Sequence, residues 1–339
     1  MSWFDKNKRE LPWRNTRNPF HIWLSEIILQ QTRVDQGKNF YLNFITEFDT
    51  VHDLAQADEQ KVLKLWQGLG YYSRARNLHA AAQYISNELN GVFPSTFSEL
   101  KKLKGVGDYT AAAISSIVFN EAVPAVDGNM FRVFSRYYAI DADISQAKTK
   151  KIFWDLGLEI IDQKRPGDFN QAVMDLGATI CLPKNPQCDR CPLNASCEAL
   201  RLNKVLDYPV KTKKVKVSNR FLHFILVEKE GNIGLVKRQG NDVWRNLFTL
   251  PMIETPTDLL DNEEILQADL HQNLGFISEE KHILSHQNLF IKYYRYIGNP
   301  EGMEVVRQLI DFEWVDLNEI ENFPLPKPIE KFINYHYLD

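Results

Sequence analysis

Apolar residues recur every three or four positions through roughly the first 200 residues, which is the period of one face of an α-helix. Short breaks that contain glycine or proline separate these stretches. The clearest helical segments are residues 19–34, 59–69, 74–89 and 110–119. Alternation typical of strands is absent from this part of the sequence. The pattern therefore predicts an all-α region.

After a basic stretch without helical period, residues 208–218, the pattern changes. Residues 221–230, 233–238 and 289–298 are rich in β-branched and aromatic residues and are predicted to form strands. Residues 256–276 are predicted to form a helix between them. We therefore predict a linker followed by an α+β domain.

Composition and charge refine this division. A chain of 339 residues exceeds the size of most single cores, which predicts two or three domains. No apolar run approaches the ~20 residues of a membrane span, and the N-terminus lacks the apolar core of a signal peptide. We therefore expect a cytoplasmic, nucleoid-associated protein that does not bind membranes.

Residues 1–218 carry 29 basic and 24 acidic side chains, a net charge of +5, whereas the remaining residues carry 11 and 20, a net charge of −9. The N-terminal part is thus the part that could meet a polyanion.

All four cysteines lie in one segment, CLPKNPQCDRCPLNASC, with six, two and five residues between them. Thiols stay reduced in the cytosol, so clustered cysteines favour a metal site over disulfides. Four thiolates can hold zinc or an iron–sulfur cluster, and the alternative is four unrelated core thiols. The predicted metal ligands are Cys181, Cys188, Cys191 and Cys197.

A predicted helix, tight turn and second helix surround the letters LKGVGD. Thr96 and Glu99 predict a capping box for the first helix, and Asp108 suits the start of the second. Gly105 and Gly107 are expected to adopt backbone angles that other residues resist. The free amides of the second helix could bind a DNA phosphate, although an αα-hairpin that only packs is the alternative.

Two carboxylates are candidates for chemistry. Asp127 precedes an amphipathic helix and is predicted to be its N-cap. Glu26 has mostly apolar neighbours one helical turn away, including Ile22, Trp23 and Leu29, so burial should raise its pKa. The alternative is an exposed glutamate on a mostly buried helix.

Several motifs together resemble one family. The cysteine spacing is that of the endonuclease III and adenine glycosylase families, and LKGVGDYTA is similar to the hairpin of the DNA glycosylase superfamily. The stretches LPWR, WLSEIILQQTRV, GLGYYSRARN and FNQAVMDLGATIC resemble the adenine DNA glycosylase family, known as MutY. The resemblance covers nearly the whole chain, and its motifs occur in a consistent order.

The resemblance implies a catalytic set. Glu26 would protonate nitrogen 7 of adenine, and Asp127 would stabilise the oxocarbenium-like state, positioned by Tyr109 and Asn129. Bifunctional relatives such as endonuclease III carry a lysine where this chain has Tyr109. A phenol cannot form their Schiff base, so base removal without strand cleavage is expected. The cysteines would hold a 4Fe–4S cluster of structural role, and the hairpin carbonyls would hold a monovalent cation.

The resemblance also implies contacts with DNA. Trp13 and Arg14 would line the adenine pocket, and Gln30 and Tyr71 would enter the base stack. Gln171 falls where some members have Glu and others Gln. The full set of residues expected to contact DNA is Trp13, Arg14, Gln30, Gln31, Thr32, Tyr71, Gly105, Gly107, Leu284, Ser285 and His286.

The C-terminal part resembles the Nudix hydrolase fold at GNIGLVKRQGNDVWRNLFTLP but lacks the paired glutamates of its signature. A recognition domain without hydrolase chemistry is therefore expected. Leu284, Ser285 and His286 stand where the family commonly has Phe-Ser-His, a loop that inspects 8-oxoguanine. A turn of ordinary polar residues is the alternative.

The predicted fold is multidomain: an all-α helix-hairpin-helix glycosylase region with an iron–sulfur cluster loop, then an α+β Nudix-like domain. The predicted regions are a six-helix barrel (16–130), a cluster domain (1–15 and 131–207), a linker (208–218) and the recognition domain (219–339). The predicted function is monofunctional removal of adenine opposite 8-oxoguanine or guanine in double-stranded DNA, by a monomer. The rivals are an endonuclease III-like glycosylase/lyase acting on oxidised pyrimidines, a nucleotide pyrophosphatase, and a DNA-binding redox module.

Overall fold

The computed structural model forms two compact units, one from residues 1–57 and 77–213 and one from residues 58–76 and 214–339. The residues that the structure describes are 1–213, 216–240, 242–260 and 270–337. The helix at 59–65, which the sequence placed in the barrel of residues 16–130, belongs to the second unit. The finer division of the first 207 residues into a barrel and a cluster domain stays a prediction.

The first unit is helical, and residues 1–213 contain no strand. Its helices are α1 (Ser2–Asn7), α2 (Pro19–Leu29), α3 (Val34–Glu47), α4 (Val51–Gln56), most of α6 (Ser73–Glu88), α7 (Phe97–Leu100), α8 (Asp108–Phe119), α9 (Gly128–Tyr137), α10 (Ala147–Ile160), α11 (Pro166–Thr179) and α12 (Glu198–Arg201). The helical pattern of the sequence is therefore confirmed. Helix α2 ends at Leu29, earlier than the pattern suggested, and Gln31 then turns to a left-handed φ of 58°.

Close packing of α11 against α8 builds the centre of this unit. Gly167 lies so near α8 that a Cβ atom would come within 2.7 Å of the Ser116 carbonyl oxygen and the Ile117 Cα. Ala112 and Ala113 of α8 are fully buried and pack in one cluster with Met174 of α11. These small residues allow the two backbones to approach, and the approach brings the residues of both helices to one cavity.

The second unit contains helix α5 (Glu59–Leu65), two sheets and two C-terminal helices. The larger sheet has the order β5 (Met252–Thr255), β1 (Ser218–Leu226), β7 (Gln287–Tyr296), β6 (Leu274–Ile283); β1 and β7 are parallel, and the other pairs are antiparallel. The smaller sheet joins β2 (Glu228–Lys229), β3 (Asn232–Lys237), β4 (Phe248–Thr249) and β8 (Glu313–Asp316). Helices α13 (Pro300–Leu309) and α14 (Lys327–Tyr337) complete it. The predicted α+β class is confirmed.

The predicted helix at 256–276 is wrong at its C-terminal end. Residues 270–273 form a 3₁₀ turn, and strand β6 starts at Leu274 because its backbone pairs with β7 along nearly its whole length. Residues 261–269 of this prediction lie outside the described residues.

The predicted linker is partly wrong. Val210 accepts a hydrogen bond from the Ile144 amide at 3.0 Å, and Thr212 bonds Asp143, so this stretch packs on the first unit. Strand β1 begins at Ser218, one residue before the predicted boundary. Among the described residues, no helix is long and apolar enough to cross a membrane.

Candidate active site

One cavity of about 340 Å³ in the first unit gathers all four predicted catalytic residues and three of the residues predicted to contact DNA. Its lining includes Trp13, Arg14, Glu26, Thr32, Tyr109, Asp127, Asn129 and Gln171. Gln30 and Gln31 are not part of the lining; the Gln30 side chain donates to the Thr110 hydroxyl at 3.1 Å. The structure thus brings together residues that lie up to 158 positions apart in the sequence.

Glu26 lies on α2 and is only 7% exposed. Its pKa is raised to about 7: burial is the largest cause, the Asp127 charge adds to the rise, and a hydrogen bond with Tyr109 and the Arg14 charge oppose it. The burial expected from its apolar neighbours is confirmed. A carboxyl group with this pKa carries a proton for a large part of the time at neutral pH and can act as a general acid.

Asp127 is the N-cap of α9, as predicted. Its Oδ1 accepts from the Met130 amide at 2.7 Å, and its Oδ2 accepts from the Asn129 side chain at 2.6 Å. Burial raises its pKa, whereas these hydrogen bonds and the Arg132 charge work in the opposite direction. Because donors are directed at both oxygens of Asp127, its ionised carboxylate is more stable than it would be without these hydrogen bonds.

The loop before Asp127 is fixed by a residue that the sequence analysis missed. Asn170 on α11 is fully buried; it accepts from the Ala125 amide at 3.0 Å and donates to the Val123 carbonyl at 2.9 Å. An asparagine in a helix gives no sequence signal of such a role, because the partners come from a distant loop.

Tyr109 lies in the first turn of α8 and reaches the same cavity. Its hydroxyl shares a hydrogen bond with Glu26 and lies 3.6 Å from the Met174 sulfur. Burial and the charges of Glu26 and Asp127 raise its pKa well above 10, so it remains a neutral donor. The sequence analysis placed Tyr109 against Asp127, whereas the structure pairs it with Glu26 and leaves Asn129 to hold Asp127.

Arg132 is a second residue that the sequence analysis missed. It donates to the Asn129 side-chain oxygen at 2.8 Å, to the Gly177 carbonyl at 2.7 Å and to the Cys181 carbonyl at 2.7 Å. Asn129 in turn donates to Asp127. A continuous chain of hydrogen bonds therefore joins the first cysteine to Asp127.

The wall opposite α8 is the N-terminal segment. Trp13 is 6% exposed and packs edge-on against Tyr41, with ring centroids 5.3 Å apart. Arg14 is held by Asp175 on α11, which also binds Arg9. Neither Arg9 nor Asp175 was among the residues predicted to form the site.

The hairpin has the predicted form with two corrections. Gly105 has a φ of +81°, and a Cβ there would meet the Asn77 side chain at 2.8 Å. Gly107 has a φ of −90°, an ordinary extended conformation, so the expectation of a special backbone there is wrong. Thr96 caps α7 by accepting from the Glu99 amide, but its hydroxyl, rather than its backbone amide, donates to the Glu99 carboxylate. Asp108 binds two lysines, Lys101 and Lys150.

The four cysteines surround one small cavity of about 30 Å³. Burial raises the pKa of the Cys188 thiol, and the charges of Cys181 and Cys197 add to the rise, which places these sulfurs near one another. Arg136, almost fully buried, donates to the Cys181 sulfur at 3.3 Å. Among the described residues, no three His, Cys, Asp or Glu side chains converge to hold a single metal ion. Thiols spread around a cavity, with a buried cation to offset thiolate charge, fit a multi-iron cluster.

The predicted recognition loop lies in the second unit, in the turn between β6 and β7. Tyr71 of the same unit is 41% exposed and has a φ of 48°. Its hydroxyl donates to the Ser285 hydroxyl at 2.7 Å, and Ser285 lies 3.2 Å from the His286 Nδ1. A cavity of about 670 Å³ is lined by Tyr71 and by Leu284, Ser285 and His286. Tyr71 is thus not a core residue, and it joins the loop in one polar cluster.

Comparison with known proteins agrees with this arrangement. Residues 24–158 match the HhH-GPD superfamily of base excision DNA repair proteins, and residues 222–335 match the NUDIX domain. The chain is 32% identical to the adenine DNA glycosylase of Buchnera aphidicola (subspecies Acyrthosiphon pisum), over 98% of this chain and 95% of that protein. It is 45% identical to the human adenine DNA glycosylase, over 59% of this chain and 38% of that protein.

Solved structures resemble the helical part. A thermostable thymine-DNA glycosylase is 28% identical with a TM-score of 0.55, and covers 59% of this chain and 93% of its own. An endonuclease III–DNA complex is 23% identical with a TM-score of 0.52, and covers 60% of this chain and 92% of its own, which shows the fold alone. The predicted fold class, a helical helix-hairpin-helix region followed by a Nudix-like domain, is confirmed.

Proposed function

This chain belongs to the adenine DNA glycosylase family, and on that premise we propose that it hydrolyses the N-glycosidic bond of adenine in double-stranded DNA. One observation carries the proposal: a buried carboxyl with a pKa of about 7 and a hydrogen-bonded carboxylate share one cavity. Burial raises the pKa of both acids, but donors at both oxygens of Asp127 favour its ionised form. Such a pair suits a general acid, Glu26, and an electrostatic stabiliser, Asp127.

The proposed reaction begins with a flipped adenine, because its reacting atoms are inaccessible inside the base stack. Glu26 gives its proton to nitrogen 7, which makes the base a better leaving group. The bond to C1′ then breaks, and Asp127 faces the positive charge that develops on the sugar. Water adds to C1′ and gives its proton to the ionised Glu26 carboxylate, which restores the acid and leaves free adenine and an abasic site.

The side chain at position 109 is the phenol of a tyrosine, so this position supplies no amine for the reaction. Its neutral phenol donates to Glu26 and cannot attack the sugar to form an imine. We therefore propose that the abasic strand is released uncut, which separates this protein from the endonuclease III-like alternative.

The base opposite the adenine is proposed to be 8-oxoguanine or guanine. Support comes from the polar cluster of Tyr71, Ser285 and His286, whose hydroxyls and ring can hydrogen-bond a base edge. We further propose a monomer that acts in the cytoplasm at the nucleoid. The four cysteines are proposed to hold a 4Fe–4S cluster that orders their loop, with no part in the chemical step.

The experiment that tests the function is direct. The protein is incubated in excess over a duplex with one adenine opposite 8-oxoguanine, and free adenine is separated and quantified. Matched duplexes with guanine or thymine opposite the adenine are the controls. We expect release from the first two and little from the third. Absence of free adenine from all three would exclude the proposed activity.

The recognition loop gives a prediction. Ser285→Ala with His286→Ala should lower the preference for 8-oxoguanine over guanine by a few-fold to about tenfold per residue, since each hydrogen bond contributes roughly 0.5–1.5 kcal/mol. The measurement is single-turnover excision on both duplexes at fixed salt. Asn288→Ala, on the adjoining strand, is the matched control. An unchanged ratio would show that this loop does not read the opposite base.

Truncation is a less informative test of the same point. Residues 58–76 belong to the second unit, where Lys64 donates to the Phe323 carbonyl and Leu325 donates to Gln67. A chain ending at Val217 would expose this segment, so lost activity could reflect its disorder.

The cysteines give a further prediction. Purified protein should be brown and contain about four iron atoms per chain, as a cluster held by four thiolates requires. Cys188→Ser should lose iron and weaken DNA binding, because Cys188 is one of the four cysteines that line the small cavity. Iron analysis and absorption spectra of anaerobically prepared protein check this. Stoichiometric zinc without iron would contradict it.

A further inference from the structure

Asp175 is a buried charge of the first unit that the proposed chemistry does not use. It lies on α11 with a side chain only 1% exposed. Burial alone would raise its pKa, but the hydrogen bond and charge of Arg14, together with Arg9, outweigh burial and hold the pKa below its ordinary value. Asp175 is therefore an ionised carboxylate in the interior.

Its two oxygens receive four hydrogen bonds from the N-terminal segment. Arg14 donates to Oδ2 at 2.7 Å and to Oδ1 at 2.9 Å, a two-pronged contact. Arg9 donates from its side chain to Oδ1 at 2.7 Å and from its backbone amide to Oδ2 at 3.2 Å. Arg14 also donates to the Arg9 carbonyl at 2.9 Å. Bidentate pairs of this kind fix orientation as well as distance.

The segment between the two arginines forms a wall of the active-site cavity. Leu11 and Trp13 lie between them, both less than a tenth exposed, and Arg9, Leu11, Trp13 and Arg14 all line the cavity. The segment is a short 3₁₀ turn, Pro12–Arg14, without a side-chain cap. Its position therefore depends on contacts with neighbouring elements, and Asp175 supplies the ionic ones.

The ion pairs of Asp175 also affect how much positive charge Arg14 presents to Glu26. The groups that act on Glu26 are Tyr109 from α8, Asp127 from the start of α9, and Arg14 from the N-terminal turn. Arg14 favours the ionised form of Glu26, and Asp175 offsets much of the Arg14 charge. Without Asp175, an unbalanced guanidinium would lie beside the proton donor.

We propose that Asp175 is a positioning residue of the excision site, which holds the wall formed by residues 9–14 and balances the charge of Arg14 next to Glu26. The proposal rests on the proposed adenine excision, in which Glu26 must carry a proton. Asp175 does not touch the reacting atoms; it acts on the charge near Glu26 through Arg14 and on the wall through both Arg9 and Arg14.

The test is Asp175→Asn, which keeps the shape and removes the charge. Loss of the negative charge lowers the pKa of Glu26, so the pH above which excision slows should move to a lower value. At pH 7.5 the single-turnover rate should fall about tenfold, the change that one pKa unit produces. Affinity for a duplex with a non-cleavable adenosine analogue should change less than threefold. Asp175→Glu, which restores the charge, should recover part of the rate and return the pH profile toward that of the parent.

Arg14→Gln and the double variant with Asp175→Asn complete a cycle. If the charge effect of Asp175 passes through Arg14, the pH profile of the double variant should match that of Arg14→Gln alone, whereas independent effects on Glu26 would add two shifts. Asp155→Asn, which removes an exposed charge from α10 of the same unit, is the matched control and should leave the pH profile in place.

A readout without DNA separates this proposal from the proposed function. Amide hydrogen exchange of residues 9–14 should be faster in Asp175→Asn, because the Arg9 amide loses a charged acceptor, while exchange in α8 stays slow. If the parent protein releases no adenine, the proposed excision function is wrong. The exchange measurement then still decides whether Asp175 holds residues 9–14 in place. An active parent protein with unchanged exchange and an unchanged pH profile in Asp175→Asn would overturn the positioning role.

Discussion

Glu26→Gln should slow adenine excision by at least about 100-fold, the lower end of what a general acid contributes. Glutamine keeps the shape of the side chain and can still accept the Tyr109 hydrogen bond, but it has no acidic proton to give. The measurement is the single-turnover rate on a duplex with adenine opposite 8-oxoguanine. Duplex affinity should stay within a few-fold of the parent value.

The role of Glu26 as a proton donor also predicts how the excision rate of the parent protein depends on pH. The pKa of Glu26 is raised to about 7, so its proton is present below that pH and is lost above it. Excision should therefore decline as the pH rises through about 7, and the decline should be absent from the residual activity of Glu26→Gln. Glu88→Gln, an exposed change on α6, is the control. A near-normal rate in Glu26→Gln would remove Glu26 from the mechanism.

Asp127→Asn should cost about 100- to 1,000-fold in the same rate, the range found when one electrostatic stabiliser of a transition state is removed. Asparagine is as good an N-cap as aspartate and can still accept from the Met130 amide, so α9 should keep its start. What disappears is the negative charge that would face the sugar.

Thermal unfolding distinguishes this loss from misfolding. The melting temperature of Asp127→Asn should stay within a few degrees of the parent, because the cap is retained. A large loss of excision with an unchanged melting temperature supports a catalytic role. A full rate with the charge removed would assign Asp127 to capping alone.

Local pattern predicted much of the fold. The 3.6-residue period located the helices, and the apolar neighbours of Glu26 correctly predicted its burial. The N-cap at Asp127 followed from its place before an amphipathic helix. Strand β6 was missed because charged residues, such as Glu279, Glu280 and Lys281, hide the alternation of a strand that pairs on one edge only.

The contacts that complete the site could not be predicted from local pattern. Asp175 and Arg14 are 161 positions apart, and Arg132 reaches the Cys181 carbonyl across 49. Neither pairing leaves a periodic signal, since Arg14 meets Asp175 only where the N-terminal turn packs on α11, and Arg132 of α9 meets the Cys181 carbonyl just after α11 ends. Gly107 shows the opposite error, because a glycine in a recognised motif suggested a special backbone that the chain does not adopt.

The most direct test of the central claim is one reaction split in two. A duplex labelled on the adenine strand, with 8-oxoguanine opposite, is incubated with the protein, and half of the sample is treated with alkali before denaturing electrophoresis. We expect intact strands without alkali, complete cleavage at the adenine after alkali, and little covalent adduct when borohydride is present, because Tyr109 has no amine. Strand cleavage without alkali, or a trapped adduct in high yield, would contradict the account.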